Sequence, residues 1–138
     1  MKRRIFSHID ATALLRRRLL RADKELLILD SYFGSEPSNW DLVRGINVPV
    51  RVLTGHKAKA PSTPLANVWA RSWPPTRKIP FHDRFYIWDS AGLNVGASAS
   101  GLNGQRAFRI DELNLAEINM LRDAFARWWN EPDLTDLT

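Results

Sequence analysis

A chain of 138 residues with 44% hydrophobic and 25% charged side chains has the size and balance of one globular domain, able to bury roughly two-thirds of its unfolded surface. It contains no cysteine, which excludes disulfides, thiolate metal ligands and a cysteine nucleophile together. A net charge of +5 and a pI near 10.1 favour a polyanionic partner, nucleic acid ahead of anionic lipid, although a solvated basic surface is the plainer reading of the same charge.

The first residues, MKRRIFSHID, begin basic, but no apolar stretch of signal-peptide length follows. No run approaches the roughly 20 apolar residues of a membrane span, so the expectation is a cytoplasmic chain with no membrane association. Lys2 to Ile5 reads as a short first strand. Asp10 offers a side-chain oxygen to cap a helix that reaches Ala22. Leu14, Leu15, Leu19 and Leu20 recur there at helical spacing, with Arg16, Arg17, Arg18 and Arg21 between them. This arginine set is an exposed helix face or one wall of a nucleic-acid groove, the first being the plainer.

Glu25 to Phe33 (ELLILDSYF) is a near-continuous apolar run, as expected of a strand covered on both faces. Ser38 or Asn39 then caps a short helix, Trp40 to Arg44, that ends at Gly45. Pro49 to Leu53 is a second buried strand, and the intervening helix implies a parallel pairing with a right-handed crossover. Thr54 to Pro64 is a loop carrying His56, Lys57 and Lys59, at the end of a parallel strand where open α/β sheets bind ligands. Lys57 and Lys59 are therefore candidate substrate-backbone contacts, or simply solvated. Val68 to Trp73 is a further strand, broken by Pro74 and Pro75. Arg71 and Trp73 interleave a cation with an aromatic, which suits single-stranded nucleic acid. Trp73 is equally readable as core.

Phe81 to Asn103 (FHDRFYIWDSAGLNVGASASGLN) organises the rest. His82 and Arg84 precede and enter a β-branched and aromatic strand, FYIW, and alternate positions on a strand share a face. The chain then turns through Ser90, Ala91 and Gly92, re-enters an extended run at Leu93 to Val95, and reaches the small and polar cluster Gly96, Ala97, Ser98, Ser100, Gly101 and Asn103. Ala107 to Ile110 is a last strand. Asp111 or Asn114 caps a C-terminal helix, Leu115 to Trp129, with an apolar stripe through Leu115, Ile118, Leu121, Phe125 and Trp128. Residues 130–138 form an acidic tail expected to fray.

His82-x-Arg84-x4-Asp89-x6-Gly96, with Ser98, Ser100 and Asn103 just beyond, resembles the His-x-Lys-x4-Asp-x6-Gly-Ser-x-Asn pattern of the phospholipase D superfamily, in the form common among short bacterial members. Arg84 stands where Lys is usual and Ala97 where Ser is usual, so Ser98 takes the hydroxyl role by a one-residue shift. The resemblance implies an α/β layered sandwich, a mixed and largely parallel β-sheet flanked by helices, as a single domain over residues 1–138. It implies a phosphodiesterase, nuclease-like, that needs no metal or other cofactor. No pair of histidines or carboxylates stands at ligand spacing around His82.

Within that resemblance His82 is the nucleophile or acid, and Arg84 clamps the non-bridging phosphate oxygens, as a planar guanidinium can with two at once. Ser98, and with it Ser100 or Asn103, donates to a phosphate oxygen, although Ser98 also fits a strand-end turn. Glu112, with Asp111 as its rival, orients His82 through the second ring nitrogen. Asp89 and Gly96 are structural, Asp89 fixing the turn after the strand. The mechanism uses two histidines and the chain has one such motif, since His8 and His56 lack the accompanying residues. A two-fold homodimer would bring two copies of His82 together. The chain is otherwise one part of a longer protein or complex, supplying half a site. The competing expectation is a non-catalytic nucleic-acid-binding or assembly module that kept the fold.

Overall fold

A computed structural model describes the backbone of residues 3–98 and 107–138, and the side chains of residues 11–96 and 109–138. Strand β1 (Arg3–Ser7) runs directly into helix α1 (His8–Leu19). Asp10 thus lies inside the helix rather than capping it. The helix stops three residues short of Ala22 because its last amides tighten to i−3 carbonyls, Arg21 N–H to Arg18 and Ala22 N–H to Leu19. Ala11, Leu15 and Leu19, four residues apart, turn one buried stripe to the sheet.

Strand β2 (Leu26–Leu29) is buried at every position. It is shorter than the apolar run because Asp30 ends it: the Tyr32 N–H donates to Asp30 Oδ1 at 2.9 Å and the Phe33 N–H to the Asp30 carbonyl at 3.1 Å, an Asx turn that pulls the chain out of the sheet. A 3-10 helix follows at Pro37–Leu42, earlier than the expected Trp40 to Arg44. Pro37 starts it without an amide to leave unpaired. Asn39 Oδ1 accepts from the backbone N–H groups of Gly34 and Glu36, and Trp40 is buried. Gly45, at φ +83°, allows the exit into β3 (Val50–Thr54).

Strand β4 (Val68–Ser72) comes next, then β5 (Arg84–Trp88), β6 (Ala91–Ser98) and β7 (Ala107–Glu112). Helix α2 spans Leu115–Trp129 and starts at Asn114, whose Oδ1 accepts the Glu117 N–H while Glu117 accepts the Asn114 N–H. The sheet runs β1-β7-β6-β5-β2-β3-β4 and closes with β8 (Thr135–Asp136). It is mixed. The parallel pairings are β2 with β3 and β3 with β4, while β5, β6, β7, β1 and β8 join antiparallel. Helix α1 and the 3-10 helix cover one face, over Ile28, Val52, Tyr86 and Val95. Helix α2 covers the other, over Leu27, Leu29, Leu53 and Ile87. The result is the layered α/β sandwich expected from the sequence, with its parallel part confined to three strands.

Residues 130–138 are not frayed. Leu134 is buried, the Leu137 N–H donates to the Ala70 carbonyl at 2.9 Å, and Arg77 pairs with Asp133 and Glu131. Five charged side chains, Arg71, Arg77, Glu131, Asp133 and Asp136, are thus joined across the edge of β4, since Arg71 also holds Asp136 at 2.8 Å.

The β5–β6 turn is fixed by Asp89, which sits at φ +53° and whose carboxylate accepts the N–H groups of Asp23 and Lys24 at 2.9 and 2.8 Å. Partial burial works against ionisation, but the amide donors of Asp23, Lys24 and Glu25 outweigh it and hold the carboxyl below its usual value of 3.8. Arg122 of α2 donates to the Asp89 carbonyl. Replacing Asp89 by Ala should destabilise the chain by about 2 kcal/mol in urea unfolding, from the lost charged hydrogen bonds and the left-handed backbone together. Asp89→Asn, which tolerates that backbone, should lose about half as much. Because the native pKa is depressed, the advantage of wild type over Asp89→Asn should be complete above pH 3.8 and fade as pH falls through the native pKa.

Candidate functional site

Strand β2 has β3 parallel on one side and β5 antiparallel on the other, with Leu29 opposite Phe85. The C-terminal ends of β2 and β3 therefore meet the N-terminal end of β5, and the first residue of β5 is Arg84. Arg84 Nε stands 3.6 Å from Asp30 Oδ1, and the Tyr86 hydroxyl donates to Asp30 Oδ2 at 3.1 Å. Asp30 is 5% exposed. Burial pushes its carboxyl above the usual 3.8, against the opposing pull of Arg84 and of the Tyr32, Tyr86 and Phe33 donors. Burial also raises the Tyr86 hydroxyl well above its ordinary value, keeping it a neutral donor. Arg84, 27% exposed, joins this buried anchor to solvent.

His82 lies just before β5 and is exposed; among the described residues it makes no hydrogen bond or ion pair. The loop after β3 docks beside this strand end. Gly55 N–H donates to the Ser31 carbonyl at 3.1 Å, Lys59 N–H to Gly34 at 3.0 Å, and Trp40 Nε1 to the Lys59 carbonyl at 3.0 Å. A Cβ on Gly55 would lie 2.4 Å from the Ser31 oxygen, so only glycine permits the approach. His56, Lys57 and Lys59 are exposed on that loop.

Other sequence candidates lie elsewhere. Trp73 is 1% exposed, packed edge-on against Phe81 and Trp128, with Nε1 donating to Glu131 at 3.2 Å. It is core beneath α2, not a stacking platform. Arg71 is taken up by Asp136 and by the Trp129 and Leu134 carbonyls. Neither reaches a substrate in this arrangement. Glu112 lies opposite Leu93, which is opposite Tyr86. That row lies two residues inside β5 from Arg84, about 7 Å along the strand, with His82 beyond the strand's start, and Glu112 is held by Arg18 of α1 at 2.6 Å. It does not orient His82. Asp111, opposite Asn94, is on the α2 side of the sheet with its carboxylate 3.2 Å from Arg109 Nε, so it does not take that role either.

Ser98 is the last residue of β6 and pairs with Ala107. Val95 is opposite Arg84, so Ala97, and not Ser98, occupies the register set that Arg84 belongs to. A Cβ at Gly96 would meet nothing nearer than 3.9 Å, so the absence of a side chain there is not a packing requirement. Ser100 and Asn103 lie outside the described residues. Among the described residues no group of three His, Cys, Asp or Glu could hold a metal ion, and no helix is long and apolar enough to cross a membrane. Asp30 and Tyr32 are what the sequence reading missed. Asp30 was hidden inside an apolar run, and Tyr32, 56% exposed, is carried outward by the turn that Asp30 makes.

No family model matches the chain, and no curated protein matches it in sequence. Solved structures do. Nuc from Salmonella typhimurium, a phospholipase D family member, superposes with a TM-score of 0.61 over 98% of this chain and 97% of its own, at 12% identity. NucT from Helicobacter pylori gives 0.56 over 91% and 94%, also at 12%. An archaeal chromatin protein whose structure shows a novel mode of DNA binding gives 0.61 at 13%, with 98% of this chain spanning 54% of that one. The chain has the phospholipase D-like fold. At such identities the likeness is one of architecture alone.

Asp30→Ala would leave the buried Tyr86 hydroxyl and the half-buried Arg84 without their carboxylate, and should destabilise the chain by about 2–4 kcal/mol in urea unfolding. Asp30→Asn keeps an acceptor for Tyr86 and should cost less. The native carboxyl pKa is raised, so what Asp30 adds over Asn is greatest below pH 3.8 and should be lost as pH rises through the native value. Wild type and Asp30→Asn compared across that range test the sign.

Proposed function

We propose that the chain is a metal-independent phosphodiesterase acting on nucleic acid through a phosphohistidine, in a site completed by a second copy of the chain. The observation that carries this reading is the placement of an exposed His82 two residues from an Arg84 anchored on buried Asp30. The exposed loop with His56, Lys57 and Lys59 lies along the same strand end. An architecture shared with Nuc and NucT supports the reaction class. Net charge +5 supports a nucleic-acid substrate.

In this scheme an imidazole nitrogen of His82 attacks phosphorus as the P–O bond to the leaving strand breaks. Arg84 neutralises the non-bridging oxygens. The partner's His82 protonates the departing oxygen, then takes a proton from water as that water displaces His82 from phosphorus. Ser100 and Asn103 remain candidates for hydroxyl or amide donation, and Lys57 and Lys59 for strand contacts, while the register of β6 places Ser98 on the other face.

A second reading has its own observation. Ala97 rather than a hydroxyl residue falls in the register set of Arg84, which favours a fold kept for binding after chemistry was lost.

Cleavage of single-stranded DNA, RNA or a bis-aryl phosphodiester in EDTA should fall about a thousandfold in His82→Ala, and sedimentation should show a dimer. Cleavage that survives His82→Ala would overturn the mechanism. Salt-sensitive DNA binding indifferent to His82→Ala, with no turnover on any of these substrates, would select the binding module. Two equivalent histidines in different protonation states give a bell-shaped rate profile, and a rate still climbing at about pH 9 would contradict the scheme.

A further inference from the structure

A cavity of about 660 Å³ opens between α1, the 3-10 helix and the α1 side of the sheet. Its volume lies in the range of pockets that hold small organic ligands, roughly 300–1,000 Å³. Leu15, Phe33, Leu42 and Val95 supply apolar wall, and Arg84 and Asp30 are part of the same lining. The walls are pinned to each other: Arg16 Nη1 donates to the Asp41 and Leu42 carbonyls at 2.7 and 3.2 Å, tying α1 to the 3-10 helix. Phe33 is held edge-on by Trp40 at 5.2 Å. These contacts fix the positions of its walls.

Its position decides what it could hold. Arg84 belongs both to the proposed phosphate site and to the cavity lining, so a phosphate on this guanidinium has the cavity next to it. One ester substituent can then enter. Aromatic and aliphatic walls suit a flat ring, Ser38 and Asn39 bring hydrogen-bonding groups, and Arg16, Arg44 and Arg84 outnumber Asp30 and Asp41 around the lining. That charge fits the sugar-phosphate of a nucleic acid better than a neutral acyl chain. We propose that the cavity is a nucleoside subsite, taking the sugar and base on one side of the phosphate that Arg84 holds. The subsite rests on the phosphodiester reading for its orientation, but its recognition of a base does not depend on cleavage.

Calorimetric titration with thymidine, thymidine monophosphate and inorganic phosphate separates the two. The monophosphate should bind about tenfold or more tightly than inorganic phosphate. Ala13→Trp, which places an indole at the cavity wall, should abolish that preference, and Ser38→Phe should do the same from the opposite wall if the helix variant misfolds. Thymidine should bind wild type and be lost in Ala13→Trp. If phosphate affinity ignores Arg84→Ala while thymidine still binds, the subsite stands and the phosphate clamp fails. Equal affinity for monophosphate and phosphate, or thymidine binding untouched by both obstructing variants, overturns the subsite. Tighter binding of a short-chain phosphatidic acid than of the monophosphate overturns it in favour of lipid.

Discussion

A buried carboxylate at the end of a buried strand is the constraint on which the site depends. Removing an aspartate from water is costly unless its oxygens are met. Asp30 is met by a backbone amide, a buried phenol and a guanidinium. These partners come from β2's own turn and from β5, so the cluster forms only when β2 and β5 lie antiparallel in the observed register. The pairing also brings the motif strand to the ends of the parallel strands, where the turn and loop residues can converge. Fold and candidate site are in this sense one arrangement. The same anchor that orients Arg84 also draws on its charge, and a guanidinium tied to a carboxylate is a weaker and more fixed phosphate clamp than an untied lysine.

Much of the framework was legible in the sequence because it is written in short-range patterns. Helix α2 begins and ends where Asn114 and the apolar stripe predict, β2 falls inside its apolar run, and β3 and β5 match theirs to within one residue. Boundaries failed where a side chain acts on the backbone from within a run. Asp30 cuts β2 short, and Pro37 starts the 3-10 helix early. Asp10 looked like a cap only because the coupling of β1 straight into α1 leaves no local signal.

The site was legible in part, for a related reason. The motif marks His82 and Arg84 as neighbours. It says nothing of which long-range partners complete them. Arg71 and Trp73 read as nucleic-acid contacts because their composition fits, yet the C-terminal segment, some sixty residues on, claims both. The resemblance gives Glu112 to His82, whereas strand register moves it along the sheet and gives it to Arg18. Strand parity also separates Ser98 from Ala97 in a way that spacing alone conceals.

Strand β8 is only two residues long, yet it occupies the outer edge of β4, beside a tryptophan, Trp69, that is 47% exposed. An uncovered edge with an aromatic next to it invites another chain to add a strand. The clasp made by Arg71, Arg77 and their acidic partners therefore bears on solubility. Salt or acid that loosened these ion pairs would leave buried Leu134 and the Leu137 N–H to Ala70 bond to hold the segment, a weaker guard of that edge against self-association.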